Sequence, residues 1–179
     1  MHDPVDDCWF LGSLSDHAGH AVSASLFTAG QVVPDLGPLR LGVRQLGHAR
    51  DLTYAAFGLP VARRFVAAQL AAIAGDDIQR VPVQVAGSAE EFDILNVTTQ
   101  LTALDEERTI GGRHERGSGW LYIVTPAVDV KRTAGHKMFR LAEFSPIIVV
   151  GEAVKSAVEQ QGWSGFAFVE LPATGTIGA

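Results

Sequence analysis

Residues 60–85, PVARRFVAAQLAAIAGDDIQRVPVQV, decide the fold, because the spacing of their apolar side chains changes part of the way along. From about residue 60 to residue 74 the spacing is helical. Pro60 suits a first helical turn and Gly75 suits the position just past the end. The side chains expected to form the buried stripe of this helix are Val61, Phe65, Ala68 and Ala72.

The second half of the same stretch predicts a strand. Val81, Val83 and Val85 recur at every second position, as in a strand with one buried side. Pro82 has no N–H to donate, so the strand lies at a sheet edge or has an unpaired side there. Residues 92–97 are apolar almost throughout, which predicts a second strand, covered on both faces and paired with the first as a hairpin.

The flanking segments predict further short strands and a second helix. The N-terminal third is rich in Gly, Pro, Ser and Asp, which is typical of short strands joined by ordered loops. A helix is expected at about 151–161, with Gly162 as its stop, followed by a strand at 165–171. Residues 109–119 predict a mobile surface loop and residues 173–179 a frayed tail. Three more strands are expected in WLYIVTPAVDV, KMFRL and PIIVV.

These elements together predict an α+β fold, a mostly antiparallel sheet with two packed helices at about 60–74 and 151–161. The length of 179 residues is that of one ordinary domain. We expect this domain to span residues 1–172, with an N-terminal part (1–77) and a C-terminal part (78–172).

The composition indicates a globular protein of the cytoplasm. Apolar residues make up 47% of the chain and charged residues 19%, which is too apolar for a disordered chain. No run approaches the roughly 20 apolar residues that a membrane span requires. The acidic first residues do not resemble a secretory signal. The single cysteine cannot form an internal disulfide, which is typical of a reducing compartment.

The net charge of −6 is concentrated near the N-terminus. Residues 1–39 hold no Lys or Arg, whereas the 15 acids and 14 bases of the remaining chain nearly cancel. Direct binding of nucleic acid is disfavoured, because phosphates are met by clustered cations. A basic protein partner would suit this distribution, and a solvated acidic edge would produce it equally well. The acids of the first 39 residues are Asp3, Asp6, Asp7, Asp16 and Asp35.

The segment DDCWFLGSLS, residues 6–15, resembles the nucleophile segment of calpain-type papain-like proteases. Such a site needs a histidine and, later in the chain, an asparagine that orients the imidazole. His136 has a suitable spacing from Cys8, but the only asparagine, Asn96, precedes that histidine. The pattern therefore favours Cys8 as a small buried apolar residue.

No other group of residues predicts catalysis, a metal or a cofactor. In LDEERT, residues 104–109, the successive carboxylates fan outward, and Asp105 is expected to cap a turn with Arg108 offsetting its charge. His17 and His20 are three residues apart, but an intervening glycine argues against a shared helical face and no second ligand pair follows. Phosphate-loop and serine-elbow motifs are absent from the sequence. The sequence therefore predicts a protein that binds rather than catalyses.

Nine short segments follow one another in an order that resembles a known family of bacterial proteins. They are WFLGSL, FTAG, DLTYA, DIQRVPVQVAG, DILNV, LDEERT, KMFRL, IIVV and GFAFVEL. Their order is similar to that of the immunity proteins of bacterial polymorphic-toxin systems, above all to the eleventh family of that naming scheme, of the myxobacterial type. The resemblance covers about residues 8–171.

The resemblance implies binding without catalysis. Such an immunity protein acts in the cytoplasm of kin cells and blocks a secreted toxin, often one delivered by type VI or contact-dependent secretion. The positions that match the family pattern, and that we expect to hold the fold, are Asp93, Asn96, Asp105, Glu106 and Arg108. The residues expected to meet a basic toxin, for example a nuclease, are Asp3, Asp6, Asp7, Asp16, Arg113, His114, Glu115, Arg116 and Trp120.

Two alternatives to an immunity protein stay open from the sequence. One is a small hydrolase that uses Cys8 or the carboxylates of Asp105–Glu107. The other is a non-catalytic homo-oligomer, such as a homodimer, in which an exposed edge strand pairs with its copy.

Overall fold

Most of the secondary structure is antiparallel sheet. A computed structural model describes residues 8–115 and 119–175; Asp3, Asp6, Asp7 and Arg116 lie outside these ranges. Within them the strands are β1 (Phe10–Asp16), β2 (Leu39–Gln45), β3 (Leu52–Ala55), β4 (Leu59–Arg63), β5 (Ile78–Val85), β6 (Phe92–Val97), β7 (Gln100–Leu101), β8 (Ile110–Arg113), β9 (Trp120–Thr125), β10 (Val128–Asp129), β11 (Met138–Leu141), β12 (Phe144–Val150) and β13 (Ala173–Thr174). The helices are α1 (Arg64–Ala74) and α2 (Glu152–Gln161). The predicted α+β class is confirmed.

A six-stranded sheet in the order β1-β2-β5-β6-β4-β3 forms the centre of the fold. Its pairs are antiparallel except β2 with β5. A three-stranded sheet, β12-β11-β7, and the pairs β8-β9 and β10-β13 complete the strands. Both predicted parts of the chain contribute to the central sheet, since β1–β4 come from residues 1–77 and β5–β6 from residues 78–172.

The predicted hairpin of β5 and β6 is confirmed. β6 is buried at every residue: Phe92 and Ile94 pack in one core cluster, and Leu95 and Val97 in another on the opposite side of the sheet. β5 lies inside the sheet rather than at its edge. β2 pairs only with Val83–Val85, so Pro82 precedes the doubly paired stretch and its missing donor costs no bond to β2.

Helix α1 begins at Arg64, four residues later than predicted, because residues 59–63 form strand β4 between β3 and β6. Pro60 therefore lies in a strand rather than in a first helical turn. The predicted stripe was also wrong, since Val61 belongs to the strand and Phe65 is 51% exposed. The buried face of α1, which packs on β5 and β6, is formed by Val66, Ala67, Leu70 and Ala74.

Helix α2 is confirmed, and Gly162 ends it with φ = 64°. The strand predicted at 165–171 is wrong. That segment has no ladder partner and instead presses Phe166 and Phe168 against the α1–α2 core cluster. Of the predicted frayed tail, residues 173–174 pair in parallel with β10, and residues 176–179 lie outside the described ranges.

One buried carboxylate ties the end of α1 to the three-stranded sheet. Asp77 is 5% exposed and follows α1 directly. It accepts hydrogen bonds from the Thr99 hydroxyl (2.7 Å) and from the backbone N–H groups of Lys137 (2.8 Å) and Met138 (3.1 Å). Nδ1 of His136 lies 2.6 Å from Oδ1 of Asp77, the same oxygen that accepts from Thr99, whereas the two backbone N–H groups donate to Oδ2. Neither helix in the described ranges is long and apolar enough to cross a membrane.

Candidate partner-binding surface

Residues 109–119, predicted to be a mobile loop, begin with a strand. Ile110–Arg113 form β8, which pairs with β9 in an antiparallel hairpin that has two register irregularities. Gly111 is required there by packing, because a Cβ at this position would meet the backbone carbonyl oxygen of Tyr122 and lie 3.0 Å from Cα of Ile123. A strand glycine approached this closely by the backbone of its partner strand is a packing requirement rather than a flexible joint.

The inner side of this hairpin is anchored in the core. Trp120 is 8% exposed and packs in a cluster with Phe139 and Leu141 of β11. The guanidinium of Arg113 lies over the indole, 4.3 Å from the ring centroid, and its Nη2 is 2.7 Å from Glu106 Oε2. Trp120 therefore supports the hairpin from inside instead of offering an exposed anchor, and Arg113 is held in one orientation.

The hairpin exposes four large apolar side chains, two of them neighbours in β9. Their exposed fractions are between 53% and 68%. A group of this kind on one element is typical of a surface that contacts another protein. We call it the hairpin patch: Ile110, Leu121, Tyr122 and Val124.

Sequence reasoning missed the hairpin patch, although a signal was present. The strand begins WLYIV, five apolar residues in succession. A strand that covers the core with one face needs only alternate apolar residues, so a continuous run requires either two covered faces or one exposed apolar face. The glycine-rich character of the preceding segment concealed that a strand pairs with it.

The acidic run next to the hairpin forms the predicted turn. The carboxylate of Asp105 accepts the backbone N–H groups of Glu107 (3.2 Å) and Arg108 (3.3 Å). The pKa of Asp105 is lowered, chiefly by a hydrogen bond from the Thr174 hydroxyl, so β13 also helps to fix this turn. Thr109 donates its hydroxyl to the Asp105 carbonyl at 2.8 Å. The three carboxylates are thus part of a structural turn at the base of the hairpin.

Two other positions of the family pattern lie inside the central sheet. Asp93 is fully buried, and its Oδ2 accepts Nε (2.8 Å) and Nη2 (2.7 Å) of Arg80, while Arg64 Nε is 3.3 Å from Oδ1. The Asn96 amide donates to the Gln31 carbonyl and to Gln79 Oε1, both at 2.9 Å. These contacts bind β5, β6 and α1 together, and offer no group to a partner.

The remaining predicted contact residues are dispersed. Asp16 ends β1 on the central sheet, where it accepts the backbone N–H groups of Ala18 (2.9 Å) and His20 (2.8 Å). The bond from the His20 N–H is the main cause of the lowered pKa of Asp16. His114 and Glu115 are exposed at the end of β8. The structure therefore places Asp16 on a different sheet from Arg113, His114 and Glu115.

The structure does not bring Cys8 and His136 together into a catalytic site. Cys8 is half-buried beside β1 and bridges to His48 through the backbone. His136 lies before β11 of the other sheet, with Nδ1 held against Asp77. In residues 8–115 and 119–175, no three side chains of His, Cys, Asp or Glu converge closely enough to hold a metal ion.

Replacing Gly111 with valine is expected to destabilise the protein by about 1–3 kcal/mol, because the new side chain would meet the backbone of Tyr122 and Ile123 on β9. Urea unfolding followed by tryptophan fluorescence measures this. Gly42→Val in β2 is the matched control, since nothing lies within 4 Å of a Cβ there. Equal midpoints for the two variants would show that β9 does not approach Gly111 this closely.

Comparison with protein-family models and with curated proteins finds no match for this chain.

Proposed function

We propose that this protein is a non-catalytic immunity protein that binds a cognate secreted toxin in the cytoplasm and neutralises it by occlusion. The hairpin patch is the proposed centre of the interface. The exposure of Ile110, Leu121, Tyr122 and Val124 on one anchored hairpin is the observation that carries the proposal. The exposed patch supports binding to another protein, and that this partner is a toxin follows from the resemblance of the nine segments to immunity proteins.

The chemistry of the patch suits a tight interface. A stable protein–protein interface buries about 1,600 Å² in total, and a few aromatic, aliphatic or arginine side chains supply most of its free energy. Tyr122 and Leu121 expose about half of their surface and can be covered on binding. Arg113, with 41% of its side chain exposed beside them, can supply a polar contact at the rim.

The hairpin is prepared for binding because its inner side is already packed. Trp120 fixes β9 in the core, and on β8 the guanidinium of Arg113 lies over the Trp120 ring and pairs with the half-exposed Glu106. A surface that is ordered before binding loses little conformational entropy when the partner arrives. This is the arrangement expected of an inhibitor that must act at low concentration.

We attribute the electrostatic contribution to binding to the net charge of the whole molecule, not to the charges of the hairpin. The chain carries −6, which raises the rate of encounter with a basic toxin such as a nuclease. The hairpin region itself is mixed in charge, with Arg108 and Arg113 beside Glu106 and Glu115. We therefore expect the association rate, more than the dissociation rate, to fall when salt is raised from about 50 to about 500 mM.

The test is co-expression with the product of the neighbouring gene, followed by cell survival and by the affinity of the purified pair. Leu121→Asp and Val124→Asp are expected to weaken binding at least about tenfold and to abolish protection, because each places a charge in the buried centre of the interface. Both side chains are more than half exposed, so the variants are expected to fold normally.

Leu46→Asp is the matched control, since Leu46 is 86% exposed and lies at the end of β2, away from the hairpin sheet. Cys8→Ala is expected to protect as well as the original protein, which separates occlusion from thiol chemistry. Full protection by Leu121→Asp and Val124→Asp would overturn the assignment of the patch. A wild-type dimer that Leu121→Asp converts to a monomer would favour the homo-oligomer instead.

A further inference from the structure

Arg140 is a buried guanidinium without an acidic partner. It stands on β11 with 1% of its surface exposed, in a strand whose other residues are apolar. Nη1 donates to the Ser145 carbonyl at 2.7 Å, whereas Nε and Nη2 are shielded from solvent and have no acceptor in the described part of the chain. Tyr54 acts on it electrostatically, but burial raises the pKa of that phenol, so Tyr54 is neutral at pH 7.

A buried charge without a partner destabilises the folded protein unless a group of opposite charge binds it. Arginine does not lose its proton in proteins, so the buried guanidinium stays charged although burial lowers its pKa. Nε–H and Nη2–H are the two parallel donors of one guanidinium edge. This edge matches the two oxygens of a carboxylate, which accepts both bonds side by side. The unpartnered edge of Arg140 is thus the one that recognises carboxylates.

Arg140 forms part of the wall of a cavity of about 690 Å³. The rest of the wall comes from residues 13–14, 21–25, 28, 55–59 and 145–146, and its surface is mainly apolar. A cavity of this volume, largely apolar with a few polar groups, has the character of a small-molecule site. The hydroxyl groups on the wall belong to Ser13, Ser23, Ser25, Thr28 and Ser145.

One segment of the cavity wall can move at a small cost in free energy. Phe57, in the turn Ala56–Gly58 between β3 and β4, has φ = 63° and is 85% exposed. A bulky residue in the left-handed region is strained, and its exposed ring contributes little burial that movement would forfeit. Because Nε and Nη2 of Arg140 are shielded from solvent, a ligand in the cavity reaches them only if the wall moves, and this turn is the strained segment of that wall.

We propose that this cavity binds a small organic carboxylate with an apolar body, whose two oxygens accept Nε–H and Nη2–H of Arg140. The apolar wall holds the body of the ligand, and the serine and threonine hydroxyls bind any further polar substituent. This carboxylate site is separate from the hairpin patch, because Arg140 and the patch lie on different sheets.

The experiment titrates the full-length protein with octanoate, with 1-octanol as its neutral analogue and with inorganic phosphate as an anion lacking the apolar body. Calorimetry measures affinity, and the ¹⁵N resonance of the Arg140 side chain reports contact. We expect saturable octanoate binding that shifts the Nε–H signal, with 1-octanol and phosphate each at least about tenfold weaker.

Arg140→Met is expected to weaken octanoate binding about ten- to hundredfold. It should also melt at the same or a higher temperature than the original protein without ligand, because it removes an unpaired buried charge. Arg132→Met, on an exposed arginine paired with Asp129, is the matched control and should bind octanoate normally.

Three results would overturn the carboxylate site: no binding of octanoate, equal binding of octanoate and 1-octanol, or octanoate binding that leaves the Arg140 Nε–H resonance unmoved. The last measurement is made on the unaltered protein, so the test holds even if Arg140→Met fails to fold. Binding of phosphate in preference to octanoate would also reject the proposed ligand class.

Discussion

Asp77→Ala is expected to lower the free energy of unfolding by about 3–5 kcal/mol, which makes it one of the two most damaging substitutions that we foresee. The carboxylate accepts from the Thr99 hydroxyl and from the N–H groups of Lys137 and Met138, and it contacts His136. Alanine leaves these groups without their acceptor where the end of α1 meets the three-stranded sheet. Equilibrium unfolding in urea at pH 7 measures the loss.

The same residue predicts a pH dependence. Burial alone would raise the pKa of Asp77, but the hydrogen bonds from Thr99, His136, Lys137 and Met138 outweigh burial and lower it below its ordinary 3.8. A carboxyl whose pKa is depressed by folding contributes stability above its unfolded pKa and loses it as the pH falls through the folded pKa. Wild type should therefore lose this contribution below about pH 3.8, and the Asp77→Ala variant should lose less over that range.

Asp76→Ala is the matched control, because Asp76 is the exposed neighbour and only its backbone carbonyl has a described bond, to Thr98. It should change stability by less than about 0.5 kcal/mol. If Asp77→Ala and Asp76→Ala unfold at the same urea concentration, the buried carboxylate does not tie the sheets together.

Combined replacement of Arg64 and Arg80 by methionine is expected to cost about 3–5 kcal/mol. Asp93 is fully buried on β6, and these two arginines supply the cations that neutralise it. Without them a carboxylate is left in the sheet with no partner charge, which is far less favourable than an exposed unpaired ion. Denaturant unfolding near neutral pH measures the effect.

Adding Asp93→Asn to the double variant should restore part of the lost stability, since the unpaired buried charge is then removed. Lys155→Met is the control, because Lys155 lies 3.8 Å from each of the exposed carboxylates of Glu152 and Glu159, and such surface pairs contribute at most about 1 kcal/mol. A double variant no less stable than Lys155→Met would contradict the role given to Asp93.

The local pattern of the sequence was sufficient for several elements. Alternating valines predicted β5, the mostly apolar run of 92–97 predicted the doubly covered β6, and Gly162 predicted the end of α2. In each case the signal depends on neighbours in the chain, so no knowledge of distant contacts was needed. The turn made by Asp105 belongs to the same class, because a short acidic side chain meets N–H groups two and three residues ahead.

Other features were decided by residues distant in sequence. LPVAR, 59–63, became β4 because β3 and β6 pair on either side of it, a choice that overrode the helical spacing begun at Val61. Gly111 and Gly112 lie in a strand because β9 pairs with them, whereas the composition of the segment indicated a loop.

The sequence by itself determined the α+β class, several strands, one complete helix and the local turns, because these follow from periodicity and short-range hydrogen bonding. Tertiary structure alone decided which apolar side chains remain exposed on the β8–β9 hairpin and which charge is buried beside the cavity. Whether a side chain is exposed depends on which distant segments of the chain pack against its face of the strand. The sequence KMFRL shows only that Arg140 is a cation in an apolar strand. The folded structure shows that one edge of its guanidinium has no hydrogen-bond partner.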